Sequence, residues 1–430
     1  MIKAIKIRIY PSDEQKHFIN RQLGCCRVVY NSCLAYRKDK YEKENISVSA
    51  SQAINYIVEL KKERDWLKEV HSKVLQQSVM DMNQAYTNFF EKRTNFPRFK
   101  SKKDYEQKCR FPKDAFIGVR GNRIDLIKSL KDIHFKCSVR DERYLNRNQD
   151  KVHSLTLTRT KAGQYYLSVL VDKKIELKSQ TTSVIGIDLG IKDFVITSEG
   201  QVFENLHFKK SETNKLKRLQ RQLSRKQPNS KNIEKARIKL AKLNQKIRNR
   251  KLHYLHQVSN QLVSENQIIC MEDLNVKGMM KNHNLTESIS EMNFGEFKNL
   301  LTYKCLQYGR QLVFVDRFYP SSKACHCCGY INKSLKLSDR QWVCPECNSV
   351  IDRDLNAAQN IKDESLRKII GWSSPEFTPA DCPTMDDKRE ISLKSSGRMK
   401  QEKMVVIRKY KRCSYMFLYD LLNYKVPASP

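Results

Sequence analysis

The 430-residue sequence has no apolar run of the roughly 18 residues that a membrane-spanning helix requires. Its first residues, MIKAIKIRIYPSDEQ, are charged throughout, which excludes a signal-peptide pattern there. No internal repeat suggests a stacked array. Acidic charge is scarce: 47 Asp and Glu stand against 81 Lys and Arg, a formal net charge of +34. Solubility does not need so large an excess, so it points to a polyanionic partner, nucleic acid first. An anionic membrane surface would attract the same charge, but no anchor segment accompanies it, so a membrane is not an expected partner. The expected location is the cytoplasm. In that reducing setting the 14 cysteines read as thiols or metal ligands rather than disulfides.

What is present suffices for about two to three domains, and an apolar content of 40% is not that of a disordered chain. IKAIKIRIY alternates as a strand does; Pro11 ends it, and Ser12 with Gln15 forms a capping-box pattern ahead of a helix carrying Phe18, Ile19 and Leu23. Leu75, Val79, Met82, Tyr86 and Phe89 fall on one helical stripe, so a helical bundle is expected over residues 12–100. LTLTRT and QYYLSVLV then flank the turn-like KAG and read as a β-hairpin of a small sheet or barrel, to which residues 1–11 supply a first strand and 101–181 the remainder. From residue 182 the pattern is α/β: buried strands SVIGID, QIICME and QLVFVD alternate with long helical stretches, and FVITSEGQVF returns as a hairpin. Past Trp372 the composition shifts, and 373–430 is expected to be a poorly ordered tail whose apolar finish is too short to span a bilayer.

Cys325 and Cys328 form one C-x-x-C pair, Cys344 and Cys347 another, with fifteen residues between the inner members. This is a two-knuckle zinc pattern, with Gly329 and Pro345 at the turns. Four thiolates complete a tetrahedral zinc ion and leave no position for water, so the site is expected to be structural. Cys327, inside the first knuckle, is a competing ligand with worse spacing.

Asp188 closes the strand VIGID and Glu272 follows IIC and Met271 in the same way, so both acids would emerge at strand ends. Asp354 opens DLNAAQNI, where Ala357 and Ala358 allow a helix to lie close against a sheet. Together the three could hold a pair of magnesium ions about 4 Å apart for in-line attack on a phosphodiester. Asp193, Asp273 and Asp352 are nearby alternatives, Asp352 also as the cap of the helix that Asp354 enters.

Between Lys209 and Lys251 there are seventeen Lys and Arg but two acids. Apolar stripes there mark two helices broken near QPNS, with basic faces, including Lys215, Arg218, Arg221, Arg225 and Lys226, turned to phosphate. In the amino-terminal bundle, Arg27, Tyr30 and Asn31 share one side of a helix, Tyr30 being equally well a core residue. Lys73 and Gln77 share another face, where a glutamine can read adenine and a lysine hold phosphate.

GIDLGIKDF, MEDLNVKGM and the stretch from CHCCGY to DRDLNAAQNI together resemble the TnpB family, the OrfB-type proteins of bacterial insertion sequences related to type V CRISPR effector nucleases. The resemblance covers Met1 to about Trp372. It implies a RuvC-like nuclease domain of the ribonuclease H-like fold at 182–372, with a basic helical insertion at 209–262 and a zinc-binding insertion at 321–350. Ahead of it would stand a β-barrel (wedge) domain carrying an inserted helical recognition domain. It further implies Asp188, Glu272 and Asp354 as catalytic acids on Mg2+, a structural Zn2+, and cleavage of double-stranded DNA chosen by a guide RNA beside a short target-adjacent motif, which the Lys73–Gln77 helix helps to read. Competing readings are a DNA-binding regulator that has lost cleavage, and a transposase or junction nuclease acting without a guide. Oligomeric state is not expressed in the sequence.

Overall fold

The computed structural model describes residues 2–102, 106–174, 177–282, 286–336 and 338–370. The tail expected at 373–430 lies outside them. The chain divides into two compact units, one of Met1–Lys174 with Asn214–Lys246, the other of Ile175–Thr213 with Ile247–Pro430.

In the first unit, strand β1 (Ile2–Tyr10) buries Ile5, Ile7 and Ile9 and exposes Lys6 and Arg8, the period-two division of a sheet with one covered face. Pro11 follows, and Ser12 opens α1 (Asp13–Glu44) with a reciprocal capping box: the Gln15 N–H donates to Ser12 Oγ at 3.2 Å and the Ser12 N–H to Gln15 Oε1 at 2.8 Å. Ser49 and Gln52 repeat the device at α2 (Ala50–Glu63). Helix α3 (Ser72–Phe90) buries Leu75, Val79, Met82 and Tyr86 against the other two. The chain then forms β2 (Glu106–Pro112), β3 (Gly118–Arg120), β4 (Arg123–Asp125), β5 (Ile133–Lys136), α4 (Val139–Arg147), β6 (Val152–Thr160) and β7 (Tyr165–Asp172). The antiparallel order is β2-β6-β7-β1-β5-β4-β3, so the three helices are an excursion from a sheet whose central strand is the first. Gly163, at φ +72°, makes the left-handed turn of the β6–β7 hairpin. Among the described residues no pairing joins β2 to β3: where the resemblance implied a barrel, hydrogen bonding gives a sheet with two ends.

The second stretch runs β8 (Val184–Asp188), β9 (Asp193–Thr197), β10 (Val202–Glu204), α5 (Phe208–Ser211), α6 (Thr213–Ser224) and α7 (Lys231–Glu265). Helix α6 from Asn214, and α7 as far as Lys246, count with the first unit. There follow β11 (Ile268–Glu272), α8 (Val276–Met279), α9 (Thr286–Met292), α10 (Phe294–Tyr308), β12 (Gln311–Val315), β13 (Gln341–Val343), β14 (Val350–Asp352) and α11 (Arg353–Ile370). The five-stranded sheet has the order β10-β9-β8-β11-β12, with β8, β11 and β12 parallel and β9 and β10 antiparallel. Strands β8 and β11 are buried on both faces up to their last residue, which is why they read as unbroken apolar runs, whereas β12, at the sheet's edge, is buried only at Val315. Ile185, Ile187, Ile269 and Met271 face one core with Phe297 and Leu301. Val184, Ile268 and Cys270 face the other, with Ile361 of α11.

Gly186 lies on that second face, and there α11 comes down backbone to backbone. A Cβ at Gly186 would stand 2.0 Å from the Ala358 carbonyl oxygen and 2.8 Å from the Lys362 nitrogen. Ala357 and Ala358, both fully buried, keep the helix side of the contact equally small. Neither backbone can yield without moving its whole element, so Gly186→Ala is expected to cost about 3 kcal/mol or more in urea-unfolding stability. Wild-type stability would contradict the close approach.

Candidate functional site

Strand parity decides where the acids point. Positions 184, 186 and 188 share one face of β8, and 268, 270 and 272 share one face of β11. Both faces are the one that α11 covers. Ile187 is paired with Met271 in parallel register, so one step further Asp188 and Glu272 are neighbours at the carboxyl ends of adjacent strands. Asp354 lies in the first turn of α11, one turn ahead of the Ala358 contact. Strand register and helix packing thus place the three acids at one end of the sheet from segments 82 to 166 residues apart in the chain, and among the described residues only the cysteine cluster described below has all its ligand atoms within 4.8 Å.

Their electrostatics reflect it. Burial, then the like charges of Glu272 and Asp354, push the Asp188 carboxyl up to about 7. Burial also raises Glu272, against the opposing effect of a hydrogen bond from the Ser321 hydroxyl. The Arg340 guanidinium pairs with Asp354 at 2.9 Å, which supplies part of the positive charge the cluster lacks.

The alternative acids have other employment. Asp273 is ion-paired to Lys298 at 2.6 Å and to Arg317 at 3.0 Å, and the Lys298 bond holds it below the usual carboxylate range. Asp352 accepts the Asp354 and Leu355 N–H groups at 3.1 and 3.0 Å as the cap of α11. Asp193 begins β9, with Lys192 3.9 Å away.

Cys325, Cys328, Cys344 and Cys347 have all four sulfurs within 4.8 Å of one another. Cys325 and Cys347 are 3.6 Å apart, Cys328 and Cys344 3.5 Å. A tetrahedral ion with bonds of about 2.3 Å separates its sulfurs by about 3.8 Å, so the cluster fits zinc. Cys327 is not one of the four. Gly329 (φ +81°) and Asn348 (φ +56°) close the two knuckles, each N–H donating to the first cysteine's carbonyl at 2.9 Å. Trp342 and Ile351 of the β13–β14 hairpin pack on the sulfurs.

Three contributors escaped the sequence reading. Asn356 and Asn360, buried one turn apart on α11, each donate to the Ser321 and Ala324 carbonyls, and Ser321 in turn donates to Glu272. The usable signal was a pair of amides at i and i+4 inside an alanine-rich buried helix, since buried amides need partners.

The expected nucleic-acid residues divide. Lys215, Arg218, Arg221, Arg225 and Lys226 are all exposed. Beside their helices, within the first unit, is a cavity of about 860 Å³ lined in part by Lys102, Arg159, Lys161 and Arg237. Of the two readings of Tyr30, its 4% exposure goes with the core one, Lys100 lying 3.8 Å from its ring centre. The Asn31 amide is bonded at both ends to the Lys100 backbone, donating to its carbonyl at 2.9 Å and accepting from its N–H at 2.8 Å. Arg27 is half-buried, 3.5 Å from Gln107. Lys73 is exposed and paired with Asp114 at 2.6 Å, and Gln77, one turn on, is half-buried.

Comparison with known proteins adds to this geometry. Three family models match: a "Probable transposase" model (OrfB of IS605) over residues 166–283, its "Helix-turn-helix domain" over 1–45, and a "Cas12f1-like, TNB domain" over 294–361. A "Putative RNA-guided DNA endonuclease" of Streptomyces pristinaespiralis is 37% identical across 84% of this chain and 88% of its own length. The Escherichia coli K12 protein "Putative RNA-guided DNA endonuclease InsQ" is 31% identical across 84% of this chain and 91% of its own. The structure titled "Cryo-EM structure of the Cas12f1-sgRNA-target DNA complex" shares the fold with a TM-score of 0.52 at 16% identity, over 84% of this chain and 98% of that one. The chain belongs to the TnpB family of insertion-sequence proteins.

Because Asp188 is raised when folded, its contribution to stability is present below about pH 4 and is lost as pH rises through about 7. Without added magnesium, Asp188→Asn is therefore expected to be the more stable form at pH 8, by on the order of a few kcal/mol, with the gap closing toward pH 4. Thermal melts across that range check it; a gap independent of pH would contradict the raised carboxyl.

Proposed function

We propose that this chain is an RNA-guided DNA endonuclease of an insertion sequence, hydrolysing DNA at the pocket of Asp188, Glu272 and Asp354 beside a short target-adjacent motif. The observation that carries the reading is the meeting of these acids at two parallel strand ends under one helix, with Asp188 pushed up to about 7 by burial and by the other two. Such a cluster stays ionised and folded at neutral pH when divalent cations neutralise it. Asp188, Glu272 and Asp354 would hold Mg2+, which when bound supplies an activated water and stabilises the leaving oxygen. The protein's own groups do the rest: the buried apolar strands fix where their terminal carboxylates stand, Ser321 holds Glu272, and the exposed cations of α6 attract phosphate.

The strand order supports reading 182–372 as a ribonuclease H-like, RuvC-type domain, since β8 sits between an antiparallel hairpin and two parallel strands. The 321–350 insertion is then a zinc ribbon, with Zn2+ on Cys325, Cys328, Cys344 and Cys347. In the first unit the sheet would be the wedge and α1–α3 the recognition helices. Partners are a guide RNA and a double-stranded DNA target, sequence being chosen by base pairing and the protein supplying charge and chemistry. This goes with the printed names of the relatives and with the excess of +34.

The test is to purify the chain, sequence the RNA that stays bound, and offer DNA matching its variable end with Mg2+. Programmed cleavage is expected, and Asp188→Ala is expected to slow it more than about 1,000-fold while target binding persists. Cleavage that is indifferent to RNA would refute guidance, and an active Asp188→Ala would refute the pocket. A chelator that strips zinc, or Cys344→Ser, is expected to lower the melting temperature and abolish cleavage; a fully active zinc-free chain would remove the structural ion.

A further inference from the structure

Ser321 lies between β12 and the first knuckle and is 5% exposed. Its backbone is held on both sides. The N–H donates to the Tyr319 carbonyl at 2.8 Å, and its own carbonyl accepts from Asn360 Nδ2 at 2.7 Å and Asn356 Nδ2 at 3.4 Å. Asn356 uses its oxygen to accept the His326 N–H at 2.8 Å, so α11 grips the ribbon's first knuckle with the same two amides. With the backbone fixed in this way, the Ser321 hydroxyl is presented to Glu272 and donates to Oε1.

We propose that Ser321 is a positioning residue for the divalent-cation pocket: it fixes one oxygen of Glu272 so that the other is set toward the cation, and Asn356 and Asn360 tie that setting to α11 and the ribbon. The proposal rests on reading the acid cluster as a cation site. A glutamate has three rotatable side-chain bonds, and in a cluster of like charges an unrestrained carboxylate swings away from its neighbours. A hydrogen bond to one oxygen removes that freedom before any ion arrives. Partners of this kind, one shell out from a metal, commonly account for about tenfold to a hundredfold in affinity.

The measurement is Mn2+ binding by electron paramagnetic resonance at pH 8, on the full chain as purified with its bound RNA and zinc. Ser321→Ala is expected to weaken Mn2+ binding about tenfold, whereas Ser321→Thr, which keeps the hydroxyl, stays within about twofold of wild type. Both should keep wild-type zinc content and melt close to wild type. Asp188→Ala, which removes a proposed ligand, serves as the reference for loss. If it loses Mn2+ while Ser321→Ala binds as wild type does, the positioning role is overturned and the pocket stands. If Asp188→Ala binds normally, the pocket itself is overturned, and the inference with it. Asn360→Ala, which loosens the Ser321 carbonyl without touching Glu272, should weaken Mn2+ binding at least about threefold; unchanged affinity would also count against the role.

Discussion

Three half-buried carboxylates are held at one end of the second unit's sheet, and Asp188 feels the charge of the other two. Two are the last residues of paired parallel strands, fixed by the sheet's hydrogen bonds. The third is carried on a helix pressed against a glycine that leaves it no room to shift. The cost appears in Asp188, raised by burial and then by the other two acids, and in Glu272, raised by burial. Without a counter-charge such an arrangement is a liability, so the packing makes sense when a cation completes it.

The ribbon's position follows from the same constraint. It is inserted between the segments that deliver Glu272 and Asp354, and its walls are stitched to α11 by Asn356 and Asn360. A loop of that length free to move would carry Ser321 and Arg340 away from the acids they touch. A closed tetrahedral ion is an economical way to make a short, core-poor insertion rigid.

Much of this was legible because it is local. The alternation of β1, the Ser12–Gln15 cap, the buried runs of β8 and β11 and the cysteine spacing each depend on neighbours a few residues away, and each has its structural counterpart. What was not legible depends on partners far along the chain. Ser321 reaches Glu272 across 49 residues and Asn360 reaches Ser321 across 39. Tyr30 and Asn31 show a different limit: helical spacing correctly groups them on one side of α1, but which side faces inward is decided by α3 and by the Lys100 segment, which periodicity does not contain. The barrel implied by resemblance is likewise a matter of long-range pairing, which among the described residues runs β2-β6-β7-β1-β5-β4-β3 with none between β2 and β3.

The central claim is that these acids exist to bind cations. Crystals of the chain soaked in Mn2+ and measured at the manganese absorption edge would test it most directly. The account predicts anomalous density among the carboxylates of Asp188, Glu272 and Asp354, with Arg340 displaced from Asp354. Manganese found elsewhere, with that pocket empty and the Arg340 pair intact, would contradict it.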